Sequence, residues 1–114
     1  MIAKLGLAGE KIAARFLEKK GFKILTAGWR GGNCEIDLIA KDGNDIVFVE
    51  VKTRRTRNSG YPEESVTPVK KAHIARGAEA WTDENRYSGP WRADVVAISL
   101  LEGEEPEIVH FVGI

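Results

Sequence analysis

The chain has one cysteine, Cys34, among 114 residues. No internal disulfide can form, and no cysteine-rich zinc site can be built. No apolar run approaches the ~20 residues needed to cross a bilayer. Glu10 and Lys11 fall where a secretory signal would need its apolar stretch. These absences predict a cytoplasmic protein with no membrane partner. Internal repeats, low-complexity tracts and linkers are absent too, and the length then predicts one domain over residues 1–114. Net charge is zero, with 17 basic and 17 acidic residues, which argues against a strongly cationic coat for non-specific DNA binding. The balance is uneven, however. All 17 bases but only 13 acids fall in residues 1–100, because Glu102, Glu104, Glu105 and Glu107 crowd the segment LLEGEEPE. A nucleic-acid partner therefore stays open.

What is present reads as alternating helix and strand. Residues 3–20 predict a helix, with Leu5, Ala8, Ile12 and Phe16 forming one apolar stripe and Gly21 as its stop. FKILT (22–26) predicts a short strand, and AGWRGGN (27–33), with three glycines, a loop. CEIDLIAK (34–41) alternates with period two: Glu35, Asp37 and Ile39 on one face, Cys34, Ile36, Leu38 and Ala40 on the other. DGND (42–45) is a hairpin signal, and IVFVEVKTR is the return strand. After the polar stretch RTRNSGYPEES, Thr67-Pro68 predicts a capped helix running to about Trp81. Two strands follow, WRADVVAISL and EIVHFVG, around the acidic turn. The order helix, three strands, helix, two strands implies an α/β fold with a mixed sheet and flanking helices.

The hairpin places charges opposite one another. If Gly43-Asn44 is the turn, paired residue numbers sum to 87, Asp37 faces Glu50, and Glu35 faces Lys52. If Asp42-Gly43 is the turn, the sum is 85 and Glu35 faces Glu50 instead. Either register brings two carboxylates together, and like charges across a ladder are destabilising unless one is protonated or a cation lies between them. Two carboxylates at this spacing suit a hard divalent ion such as Mg2+, with Mn2+ as a substitute. Lys52 shares the face of Glu50, about 7 Å along the strand, where a lysine can orient or deprotonate a metal-bound water. Glu10 borders the apolar stripe of the first helix, within reach of the sheet.

These segments carry a family resemblance. GEKIAARFLEKKGFKIL, CEIDLIAKDGNDIVFVEVKTR, VTPVKKAHIARGAEAW and RADVV resemble the YraN family of small bacterial proteins over nearly the whole chain. That family has a restriction-endonuclease-like fold and looks like a branch of the PD-(D/E)xK nucleases, near the archaeal Holliday-junction resolvases. The resemblance implies that Asp37 and Glu50 bind magnesium, that Val51 lends a backbone carbonyl, that Lys52 assists the attacking water, and that Glu10 is the first-helix glutamate of the resolvase-like branch. It departs in having Cys34 where the family usually has glycine, a change a strand position tolerates because cysteine behaves as a small apolar residue. The implied activity is hydrolysis of phosphodiester bonds in DNA, branched DNA included. Glu35 is a supporting acid.

The nucleic acid itself is expected to meet Arg54, Arg55 and Arg57, beyond the E-x-K segment, and Lys70 and Lys71 in the first turn of the second helix. A lysine there opposes the helix dipole, which favours a phosphate contact. Arg92 and Asp94 can pair or support the site. His73 and His110 have no metal-ligand spacing and read as structural or surface residues. Trp81 and Trp91 read as core, and Trp29 as the better base-stacking candidate. The C-terminal IVHFVGI is apolar enough for a sheet edge that pairs two copies into a homodimer. The competing expectation is a nucleic-acid-binding or interaction module on the same fold, without turnover.

Overall fold

The computed structural model describes residues 2–56 and 67–114, with side chains from Ala8 onward. Arg57 lies outside the described residues. Helix α1 (Ile2–Lys19) is followed by β1 (Lys23–Gly31), β2 (Cys34–Asp42), β3 (Asp45–Arg54), α2 (Pro68–Glu84), β4 (Trp91–Ser99) and β5 (Glu107–Phe111). The strands form one sheet in the order β1-β2-β3-β4-β5. All neighbours are antiparallel except β3 and β4, which run parallel across the α2 crossover. This is the expected mixed α/β architecture with its α-β-β-β-α-β-β order.

Local chemistry fixes the ends of these elements. Gly21 sits at φ +98°, its N–H donates to Glu18 O, and Phe22 N–H donates to Leu17 O, both at 3.0 Å. That is a Schellman stop, completed by packing of Phe22 and Leu17 in the same core cluster. Helix α2 starts as expected: Thr67 Oγ1 accepts from Lys70 N–H at 3.2 Å, and Pro68 follows it. The β2–β3 turn uses Gly43 at φ +61°, and Asp42 pairs with Asp45, so the register sum is 87. One difference is the reach of β1. It runs to Gly31, and the loop expected at 27–33 is largely strand, turning over Gly32 and Asn33, both at φ +59°.

Two apolar layers sandwich the sheet. On the α1 side, Ala13 and Leu17 pack with Phe22, Leu38, Ala40, Val47, Val49, Val96 and Ile98. On the α2 side, Ile36, Ile39, Ile46, Phe48, Ile74, Ala78 and Trp81 cluster. The buried line of α1 is Gly9, Ala13, Leu17, flanked by Ile12 and Phe16. It is shifted one residue from the expected stripe because the glycine lets the helix lie directly on β3: a Cβ at residue 9 would collide with Thr53 Oγ1. Gly9→Val is therefore expected to cost about 2 kcal/mol through overpacking, measured as a lowered urea midpoint at unchanged m-value. A variant as stable as the wild type would show that the contact is not tight.

The tryptophans divide differently from the sequence expectation. Trp81 is core, as expected. Trp91 is 43% exposed and meets the core through its ladder pairing with Ile46 and an edge contact with Phe48. Trp29 packs against the α2 cluster, so its ring is partly committed to the core rather than free to stack on a base. No helix of the described residues is long and apolar enough to cross a membrane. Strand β5 is a sheet edge and leaves Val109 exposed.

Candidate metal and phosphate site

The alternation of β2 breaks at Asp37. Leu38 and Ala40 pack toward α1, whereas Ile36, two residues before Leu38, packs toward α2. The β2–β3 ladder also stops there, running only from Leu38↔Val49 to Asp42↔Asp45. The two strands part, and Asp37 occupies the fork. Its Oδ2 accepts from Val51 N–H at 2.8 Å, replacing the ladder bond that β3 would otherwise lack. Glu10 reaches the same carboxyl from α1 and shares a hydrogen bond with it.

Glu50 and Lys52 lie on the opposite, α2-facing side of β3, by alternation with Val49 and Val51. Both are held by the parallel ladder, Glu50↔Val95 and Lys52↔Ala97. Lys52 Nζ stands 3.2 Å from Glu50 Oε1, and Lys70 Nζ, from the first turn of α2, stands 3.5 Å from the same oxygen. The fork thus gathers Glu10, Asp37, Glu50, Lys52 and Lys70.

Electrostatics reflect this crowding. Burial, and then the Glu50 charge, push the Asp37 carboxyl up to about 7. Burial also raises Glu10, with the Glu35 and Glu50 charges adding to it. Burial works to lower Lys52, but the Glu50 carboxylate beside it outweighs this, so its ammonium is held above the ordinary lysine value. Lys70 moves down, pushed by the neighbouring Lys52 group and by burial.

The donor set fits a hard divalent cation. All candidate ligands are oxygens, and the neighbouring Glu50 and Glu10 carboxyls, which add to burial in raising Asp37, favour a cation among them. The side chains are not arranged as a finished cage: among the described residues, no three His, Cys, Asp or Glu side chains are grouped to hold a metal. Glu50 is instead turned to the two lysines.

Other expected site residues fall elsewhere. Glu35 does not face Lys52, because the ladder has ended before it; it pairs across β1 with Arg30, 3.5 Å away on the surface. Its charge still reaches Glu10. Arg54 donates through Nε to Ser99 Oγ at 2.8 Å, tying the end of β3 to β4. Arg55 and Lys71 are exposed. Cys34 is buried beside Gly77, with its Sγ 3.9 Å from His73 Nδ1.

A second charged cluster was not legible in the sequence. Asp94, fully buried, accepts from Arg92 Nε at 3.0 Å, His110 Nε2 at 2.8 Å and Gly113 N–H at 2.9 Å. Arg92 also donates to Asp42 and Asp45, at 2.9 and 3.1 Å, and so neutralises the like-charged pair closing the hairpin. Lys20 Nζ lies 3.0 Å from His110 Nδ1 and, as the only donor of the two, assigns the Nε2–H tautomer that faces Asp94. Arg92 and Asp94 therefore pair, as expected, but have no bond to Glu50 or Lys52 among the described residues. The only sequence signal was the short spacing of Arg92 and Asp94; His110 comes from another strand.

Comparison with known proteins places the chain. The profile of the uncharacterised protein family UPF0102 matches residues 9–98. A UPF0102 protein of Renibacterium salmoninarum is 41% identical over 112 residues, covering 97% of this chain and 95% of that protein. One from Roseiflexus castenholzii is 44% identical over 110 residues, covering 94% and 89%. One from Nocardia farcinica is 45% identical over 109 residues, covering 93% and 84%.

Proposed function

This chain belongs to the UPF0102 family, the one expected from its sequence under the name YraN, and from that premise we propose that it is a magnesium-dependent nuclease hydrolysing phosphodiester bonds in DNA, branched DNA included. The observation that carries the reading is the fork at Asp37. Glu10 arrives there from one face of the sheet and Glu50 from the other, beside a charged lysine. Asp37, Glu50 and the Val51 carbonyl would hold the ion, with Glu10 supporting Asp37. Bound magnesium would polarise the phosphate and ease deprotonation of water.

The chain's own groups do the rest. Asp37 must release its proton before it can serve as a ligand, so loading strengthens as pH rises through about 7. Lys52 keeps its ammonium next to Glu50, positioned to hydrogen-bond the attacking water and a phosphate oxygen. Arg54, Arg55, Arg57 and Lys71 are the candidates for flanking phosphates. A junction cut symmetrically needs two sites, which two copies joined at the β5 edge would supply.

The test is incubation of linear, flapped and four-way DNA with Mg2+ or Mn2+. Lys52→Ala is expected to lower the cleavage rate about 10²- to 10⁴-fold while DNA binding persists. Undiminished cleavage by folded Lys52→Ala protein would remove this site from the reaction. A second reading, a binding module without turnover, is favoured by one observation: Glu50 is engaged by two lysines, and among the described residues no three acids are arranged to hold a metal. It predicts salt-sensitive DNA binding with no cleavage in either metal.

A further inference from the structure

Two ammonium groups share one carboxylate oxygen. Lys52 Nζ and Lys70 Nζ lie 3.2 and 3.5 Å from Glu50 Oε1. A single carboxylate needs one counter-ion, so the second cation calls for its own explanation. Lys52 is fixed by the central strand that also carries Glu50. Lys70 comes from a different element, the first turn of α2, where the helix dipole disfavours a cation. The cap at Thr67 uses only the main-chain N–H of Lys70, so the helix does not need this side chain to start. Its exposure also sets it apart. The Lys70 side chain is 42% accessible, against 26% for Lys52 and 18% for Glu50. Lys70 can swing into solvent without stranding a buried charge, whereas Lys52 is more enclosed.

We propose that Lys70 is an exchangeable counter-ion: it neutralises Glu50 while the site holds no metal, and it gives up that oxygen to a divalent cation. This inference rests on the reading of Asp37 and Glu50 as metal ligands. Lys70 is then a positioning residue, acting through Glu50, rather than simply one more phosphate grip. It holds the acid in place without metal and sets a threshold for loading, since an incoming cation must displace an ammonium already seated there. Without Lys70, Glu50 would keep Lys52 as its paired cation beside Asp37 and Glu10.

The experiment is calorimetric titration of the full chain with Mn2+, comparing wild type, Lys70→Gln, Lys70→Arg and Lys41→Gln. Removing a competing unit charge a few ångströms from the ligand oxygen is expected to tighten Mn2+ binding about fivefold in Lys70→Gln, after allowance for solvent screening. Lys70→Arg keeps a cation and should stay within about twofold of wild type. Lys41→Gln removes one charge at the far end of β2 and controls for net charge. Glutamine suits the third position of a helix, so the variant is expected to fold, and its thermal melt checks this. Mn2+ affinity that is unchanged or weaker in Lys70→Gln overturns the proposal and leaves the metal reading standing. Absence of Mn2+ binding by the wild-type chain overturns both.

Discussion

Asp37→Asn is expected to make the metal-free protein more stable at pH 8 while abolishing Mn2+ binding and DNA cleavage. The carboxyl sits in the fork between β2 and β3, where burial, followed by the Glu50 charge, raises it from 3.8 to about 7. At pH 8 the wild type must keep it ionised there. An asparagine keeps the oxygen that accepts from Val51 N–H and carries no charge. A rise of this size corresponds to about 4 kcal/mol as an upper value, and relaxation around a partly exposed group brings the expected gain to about 2 kcal/mol, or a Tm rise of about 6 °C.

The sign with pH follows. Asp37 binds its proton more tightly folded than unfolded, so its favourable contribution is fully present below about pH 4 and is lost as pH rises through about 7. The stability gap between Asp37→Asn and wild type should therefore be near zero at pH 4 and open across that window. Millimolar Mg2+ should close it again by stabilising only the wild type. Thermal melts at several pH values, with and without Mg2+, measure all of this. A variant less stable than wild type at pH 8 would mean the carboxylate is paired in solution rather than strained. Such an exchange of stability for a charged cluster is typical of functional sites.

Asp94→Ala should have the largest effect on folding itself, about 3–5 kcal/mol, read from urea unfolding. The side chain is fully buried and accepts from Arg92, His110 and Gly113. Its loss strands the His110 N–H in a buried place, removes the Gly113 tie to β4 while the Ile114 N–H bond to Ala93 O stays, and leaves Arg92 its ion pairs with the two hairpin aspartates. Asp94→Asn should recover part of this, because its oxygen can still accept from Gly113 or His110, though its amide cannot accept from Arg92. Lys20→Ala, by contrast, removes only an exposed partner and should cost well under 1 kcal/mol. A cost below about 1 kcal/mol for Asp94→Ala would show that the network contributes specificity rather than stability.

What was legible in the sequence rests on short local patterns: turns, caps and apolar stripes. The Gly43-Asn44 turn was enough to put β2 and β3 in the register that sums to 87. The Thr67-Pro68 cap was enough to start α2. The family followed from the EIDLIA and FVEVKTR blocks, and the Glu10 contact from its place beside the apolar stripe of α1.

What the sequence could not contain is where regularity stops. Extrapolating the register past Leu38↔Val49 put Glu35 opposite Lys52, but the strands part there, so Asp37 turns into the fork and Glu35 turns to Arg30. Period two describes a strand only while a neighbour holds it flat, and twist and divergence are set by the helices packed on either face. The sequence alone determined the family and the order of the elements. Only the tertiary structure decided that a second lysine shares Glu50 and that Asp94, Arg92 and His110 form a separate buried cluster. Both arrangements join residues from elements whose packing depends on burying apolar faces across the whole sheet, and no local spacing encodes that distance.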